Sequence, residues 1–219
     1  MNKASEIGNL IFKDFLLDLK SRNIVVSTVL YIFSTVFVCY LSFSNLENEH
    51  WISLFWIIAL FAVTNAGNKI FINESGQQRT YLYTLASPQS IILSKMTYQW
   101  MFSSLLALIV WFSTTVLFHA RIVHPNFFLL SVMLGIWAIS NVLTLNNALS
   151  SSTSNSPTIL AILSFPVLLP VLMSTIKAGK LALMTTINAE YYSLILVLAL
   201  LNLLTATLSY LLFPYLWRY

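Results

Sequence analysis

Charged side chains are scarce in this sequence. Only 8% of its 219 residues are Asp, Glu, Lys or Arg, whereas 58% are hydrophobic. Soluble domains carry about 25% charged residues, so too few polar side chains are present to cover a water-exposed globule. The composition therefore predicts an integral membrane protein. The net charge of +4 is too small to suggest nucleic-acid binding and is better explained by orientation in a membrane.

Reactive motifs are also missing. Cys39 is the only cysteine, so a disulfide within the chain is excluded, and no CxxCH haem-attachment motif exists. The Gly179-Lys180 pair is not a P-loop, because Ser174 replaces the first glycine and Leu181 replaces the final Ser or Thr. We expect no catalytic residue, no metal site and no durably bound cofactor, and we expect another chain to bind any ATP.

The apolar runs contain no acidic pair, and every acid lies near the end of a run or between runs. Ion-coupled carriers usually need an ionisable group inside the membrane, so this pattern disfavours secondary transport. Asparagines do occur in the runs, and they either bond neighbouring helices together or line a polar path for a substrate. They are Asn65, Asn68, Asn141, Asn146, Asn147 and Asn202.

Long charge-free runs dominate the rest of the chain. A helix needs about 20 residues to cross the hydrocarbon, and the longest run, 122–176, is divided by the polar turn Ser150–Pro157. We predict an all-α fold, with residues 1–219 forming one transmembrane domain of six spans. The spans are predicted near 24–44, 51–72, 92–118, 127–149, 158–176 and 191–213.

Residues 1–22 precede the first span, and 5–22 have the pattern of an amphipathic helix. Ile11, Phe15 and Leu19 share a face, and Lys13 and Lys20 lie on the other side. Such a helix is expected to lie in the membrane interface. The alternative is a cytoplasmic helix packed on a partner.

The eleven Lys and Arg residues predict the orientation. With the N-terminus inside, the cytoplasmic side holds Lys3, Lys13, Lys20, Arg22, Lys69, Arg79, Lys95 and Arg218. The outer side then holds Arg121, Lys177 and Lys180. The positive-inside rule therefore places both termini in the cytoplasm.

Pro166 and Pro170 fall within the fifth predicted span. Each removes a backbone donor and bends a helix, which gives either a simple kink or a hinge that moves. His50, His119 and His124 all fall on the predicted outer side. A spacing of five residues turns His119 and His124 about 140° apart on a helix, so we do not expect a durable haem site there.

The stretch Lys69–Trp100 is a polar excursion between two apolar runs. It is too long for a tight turn, and we predict that residues 73–90 dock another protein. Gln77–Leu85 has the pattern of a short helix, with Tyr81, Leu82 and Leu85 at helical spacing. The other candidate docking residues are Glu74, Arg79 and Pro88, although Glu74 and Arg79 could equally be solvated loop charges.

This stretch resembles the CcmB family, the membrane permeases of the cytochrome c maturation system. The resemblance is carried by Gly76, Leu82, Leu85, Ser87-Pro88, Ile91-Ile92-Leu93, Lys95 and Trp100. In the fifth span the segment LSFPVLLPVL, Leu163–Leu172, resembles the paired prolines of that family. Length, span number and topology are similar across the chain.

The resemblance implies the six-span membrane subunit of an ABC transporter related to the ABC-2-type permeases. It implies two copies paired with a separate CcmA-like ATPase, joined by CcmC-like and CcmD-like subunits in the bacterial inner membrane. ATP hydrolysis on the ATPase would be tied to release of a haem-loaded CcmE-like chaperone, with haem as a candidate cargo. Residues 73–90 then become the expected ATPase-coupling surface.

Two other functions remain open from the sequence. One is an ABC-2-type permease that exports another lipid, a polysaccharide or a drug. The other is a membrane scaffold or enzyme without a transport role. A CcmC-like partner would distinguish the first from haem delivery, and an adjacent ATPase gene would argue against the second.

Overall fold

The chain is described here by a computed structural model that covers residues 3–20, 22–43, 47–67, 86–120, 122–150, 156–184 and 186–216. These residues form seven helices and no strand, which confirms the all-α prediction for the described part of the chain. The helices are α1 Lys3–Lys20, α2 Arg22–Ser42, α3 Asn48–Gly67, α4 Pro88–Phe118, α5 Pro125–Ser150, α6 Ser156–Ala182 and α7 Ala189–Leu216.

Helices α2 to α7 are each long and apolar enough to cross a membrane, so the six-span fold is confirmed. Two of them run at least four residues further at one end than the sequence predicted. Helix α4 begins at Pro88, ahead of residue 92, and α6 continues past residue 176 to Ala182. With 31 residues, α4 is about 46 Å long, which exceeds the ~30 Å hydrocarbon thickness. One end of α4 therefore extends beyond the hydrocarbon.

Helix α5 lies at the centre of the bundle and packs against α3, α4, α6 and α7. Its span is 67% buried, whereas the spans of α2 and α7 are each 17% buried. The outer helices turn large apolar side chains such as Phe33, Phe37 and Leu203 outward. In water such a surface would be unstable, whereas hydrocarbon solvates it. The burial pattern is that of a bundle with a lipid-facing exterior.

Close packing at the centre depends on a small residue of α5. A Cβ at Gly135 would overlap the side chain of Thr175 in α6 and would lie 2.6 Å from the Trp56 ring of α3. Glycine thus allows three helices to approach one another, as small residues commonly do between membrane helices. Nearby, the Phe128 ring lies 5.5 Å from that of Trp51 and 5.6 Å from that of Phe55.

Helix α1 lies outside the bundle of spans and packs against α2 and α4. The side chains of Phe12, Phe15 and Leu16 remain exposed, so the rest of the chain does not cover its apolar side. An exposed apolar side of this kind is suited to contact with the bilayer.

Candidate functional site

The predicted docking residues fall in two groups. Glu74, Arg79, Tyr81, Leu82 and Leu85 lie outside the described residues, as does the predicted helix Gln77–Leu85. Pro88 is described and is the first residue of α4. The structure therefore places the last of the predicted docking residues at the start of α4.

The N-terminus of α4 is capped by two side chains. Ser87 has an extended backbone, and its hydroxyl accepts a hydrogen bond from the Ser90 amide at 3.3 Å. Pro88 follows in the first turn, where a missing amide hydrogen costs nothing. The Ser87 amide itself donates to the Glu6 carboxylate of α1 at 2.7 Å. Both the local sequence and a distant acid therefore fix the position where α4 begins.

Two turns further along α4, Lys95 forms a buried ion pair with Asp14 of α1. The lysine ammonium lies 3.2 Å from one carboxylate oxygen, and the two residues are 3% and 6% exposed. Lys13 lies 3.4 Å from the same oxygen. Desolvation offsets much of the attraction within a buried ion pair, so the pair adds little net stability. Removing one partner is nevertheless costly, because it leaves the other charge buried and unpaired. The pair therefore constrains α1 and α4 to one arrangement.

A third contact continues this series. The Tyr98 hydroxyl donates to the Asp18 carboxylate at 2.5 Å. The sequence separations of the three contacts are 81, 81 and 80 residues, so α1 and the start of α4 run parallel and in register. We name these three contacts the α1–α4 clamp: Glu6 with Ser87, Asp14 with Lys95, and Asp18 with Tyr98.

The clamp was not anticipated from the sequence, which assigned no role to the acids of α1. At 100° per residue, Glu6, Asp14 and Asp18 span about 120° of the helix, so their shared side was a readable signal. What the sequence did not reveal was the partner of that side, because the contacts join residues about 80 positions apart.

An apolar cluster supports the clamp from the bundle side. Ile91, Ile92 and Met96 of α4 pack with Ala148 of α5 and Phe213 of α7, and Leu10 of α1 packs against this cluster. The start of α4 is thus held by the ends of two other spans as well as by α1.

The asparagines of the spans join helices together. Asn141 of α5 donates to the Asn202 side chain of α7 at 3.2 Å and accepts from the Trp100 indole of α4 at 2.7 Å. Asn202 also donates to the Leu134 carbonyl at 2.9 Å. These amides therefore link α4, α5 and α7, which is the interhelical role rather than the lining of a polar path.

Two further asparagines extend these links to α3 and α6. Asn146 donates to the Ser164 hydroxyl at 2.7 Å, and Asn147 donates to the Gly67 carbonyl at 2.9 Å. Of the other two, Asn65 lies at an exposed position of α3, and Asn68 is outside the described residues. The bond from Asn147 fixes the end of α3 at Gly67, which precedes the predicted docking residues 73–90 in the sequence.

The candidate hinge residues lie within a continuous helix. Pro166 and Pro170 are both inside α6 and both exposed. The Ser174 hydroxyl donates to the Pro170 carbonyl at 2.8 Å, one turn earlier in the same helix. A moving hinge at Pro166 and Pro170 remains a prediction.

The histidines are on separate elements. His50 lies 3.5 Å from the Glu47 carboxylate at the start of α3, His119 ends α4 in a left-handed conformation with φ of 51°, and His124 packs edge-on against Phe127. Within the described ranges, no group of three His, Cys, Asp or Glu side chains could hold a metal ion. The expectation that the histidines are dispensable stays a prediction.

A comparison with protein families gives one relevant result. The sequence model described as "CcmB protein" matches residues 6–216, which is nearly the whole chain. A comparison with curated proteins gives no match. The match covers the clamp and all six spans, and the all-helical fold agrees with it. The chain therefore belongs to the CcmB family and is a membrane subunit of the haem exporter and cytochrome c maturation system.

Proposed function

We propose that this chain couples ATP hydrolysis by a CcmA-like ATPase to release of a haem-loaded CcmE-like chaperone. It would act in the bacterial inner membrane with both termini in the cytoplasm, as one of two copies, together with CcmC-like and CcmD-like subunits. Haem is the candidate cargo, and ATP is bound by the partner. Family membership and the uneven distribution of Lys and Arg support this proposal.

Residues 73–90 would receive the ATPase. Tyr81, Leu82 and Leu85 could enter an apolar groove on the partner, as an amphipathic helix does. Glu74 and Arg79 would lie at the rim, where exposed ion pairs contribute only about 0.2–1 kcal/mol. Pro88 would connect this surface to α4.

The α1–α4 clamp is the observation that carries the proposal. The docking segment ends where α4 begins, and Ser87 at this junction is bonded to Glu6 at 2.7 Å. Two turns later Lys95 is bonded to Asp14. Because this junction is capped and held by a buried pair, a shift of the docking segment would move α1 and α4 together rather than dissipate in a loose loop.

A triple substitution tests the docking surface. In Tyr81→Ser, Leu82→Ser, Leu85→Ser the chain should still insert, but co-purification with the ATPase and stimulated ATP turnover should fall together. The conservative triple Tyr81→Phe, Leu82→Ile, Leu85→Ile keeps the apolar volume and should retain both. Unchanged binding and turnover in the serine triple would place the docking surface elsewhere.

A further inference from the structure

A groove of about 600 Å³ lies between α1, α2 and α4. Its walls are mostly apolar and come from all three helices; they include Ile11, Phe15, Val25, Met101, Phe102 and Leu105. This volume is in the range of pockets that hold small molecules.

The described walls of the groove favour an apolar ligand. Among its described lining residues Asp18 carries the only charge, and its carboxylate accepts the Tyr98 hydroxyl in the α1–α4 clamp. The remaining walls offer carbon atoms. Water is not expected to fill this space, because a buried water molecule needs two to four polar partners.

The groove is open toward the hydrocarbon. Phe15 and Met101 on its two sides are 49% and 66% exposed. Beyond Leu105 in the groove wall, Leu108 and Phe112 continue the Met101 face of α4 at helical spacing, and all three are exposed. An apolar track therefore runs from the groove along α4 in the direction that an acyl chain takes in a bilayer.

We propose that this groove holds one acyl chain of a membrane phospholipid. The chain lies along the Met101–Phe112 face, and its upper part occupies the space beneath α1. An open apolar groove in hydrocarbon cannot remain empty without losing dispersion contacts on its walls, and acyl chains are what surrounds it. The bound chain completes the packing of α1 on α4, beside the clamp.

Gly8 gives the means to test this site. It lines the groove, and a Cβ added to it meets no atom within 4 Å. The Cβ of a larger side chain at this position therefore starts in open space beside the groove. Gly8→Trp is the blocking variant. Gly8→Ala is its matched control, because it also removes the helix-weakening glycine and leaves the groove open.

The first measurement is native mass spectrometry of the full chain in detergent, titrated with dioleoyl phosphatidylethanolamine. Wild type and Gly8→Ala should each retain one lipid, and Gly8→Trp should bind it at least tenfold more weakly. Leu105→Trp, which blocks the groove from α4, should do the same. Equal retention in both tryptophan variants overturns the proposal. So does unchanged lipid binding accompanied by loss of a second copy or a partner chain, which would identify a protein interface.

The second measurement needs no variant. A phosphatidylcholine with a photoactivatable diazirine in its acyl chain is incorporated into membranes that contain the wild-type chain. After illumination, adducts should concentrate on the peptides of α1 and α4 around Phe15 and Met101. Adducts spread evenly over the exposed faces of α2 and α7 would show ordinary lipid contact and would contradict a site.

Discussion

Asp14 and Lys95 are 81 residues apart in sequence, and their side chains meet at 3.2 Å with almost no exposure to solvent. The pair joins the helix outside the bundle to the span that follows the predicted docking segment. With the contacts of Glu6 and Asp18 it makes α1 and α4 a single unit. This unit is where we expect a force on the docking segment to enter the membrane.

The first prediction concerns the stability of this pair. Lys95→Met leaves Lys13 as the one described cation beside the buried Asp14 carboxylate, and removing one partner of a buried pair costs about 3–5 kcal/mol. The double variant Asp14→Leu, Lys95→Met should recover most of that loss, because no charge is then stranded. Thermal unfolding in detergent measures the stability lost in the single variant and the stability recovered in the double variant. Equal destabilisation of the single and double variants would show that the charges do not interact.

The second prediction concerns the cap of α4. Glu6→Ala removes a charged acceptor from the Ser87 amide, and such bonds contribute about 1.5–3 kcal/mol. Hydrogen exchange of a peptide that spans Ser87–Ser90 should therefore become about tenfold faster or more, at 1.4 kcal/mol per tenfold. Glu6→Gln keeps an acceptor oxygen, so its exchange rate should lie between those of wild type and Glu6→Ala. Unchanged exchange in Glu6→Ala would mean that α1 does not hold this end of α4.

The third prediction concerns orientation. In a Cys39→Ser background, single cysteines at Ser151 and Asn126 are treated with a membrane-impermeant maleimide. Asn126→Cys should react in intact cells, and Ser151→Cys only after the membrane is opened, because the positive charge predicts cytoplasmic termini. Reaction of Ser151→Cys in intact cells, with Asn126→Cys protected, would show that the topology is the reverse of the predicted one.

The fourth prediction concerns the histidines. His119 and His124 flank the α4–α5 connection with a spacing of five residues, and His50 lies at the start of α3, so we do not expect the three to hold haem together. The triple alanine variant should retain most of its cytochrome c maturation. Its complete loss at a normal protein level would assign a haem-handling role to at least one of them.

The fold was readable from the sequence because a bilayer imposes the length and composition of each span. Which face of a span is buried was much less readable. In α2, Ile32 and Val36 are buried while the adjacent Phe33 and Phe37 are exposed. Lipid and protein interior are both apolar, so hydrophobic periodicity does not distinguish them.

The clamp shows a second limit. The acids of α1 share a side, yet nothing local states that Lys95, rather than another cation, faces Asp14. Parallel register of α1 with α4 is a long-range property that depends on how the bundle folds. By contrast, the interhelical use of Asn141 and Asn202 was one of the two roles that the sequence left open, and bonding to a neighbouring helix satisfies an amide in hydrocarbon.

The central claim is that the docking segment acts on the membrane part through the α1–α4 clamp. The most direct measurement is the number of haem-loaded chaperones released per ATP hydrolysed by the reconstituted complex. The serine triple at Tyr81, Leu82 and Leu85 should lose the ATPase and therefore lose release. Asp14→Leu, Lys95→Met should keep the ATPase bound and ATP turning over, but should release several-fold fewer chaperones per ATP. Wild-type release per ATP in that double variant would contradict the account.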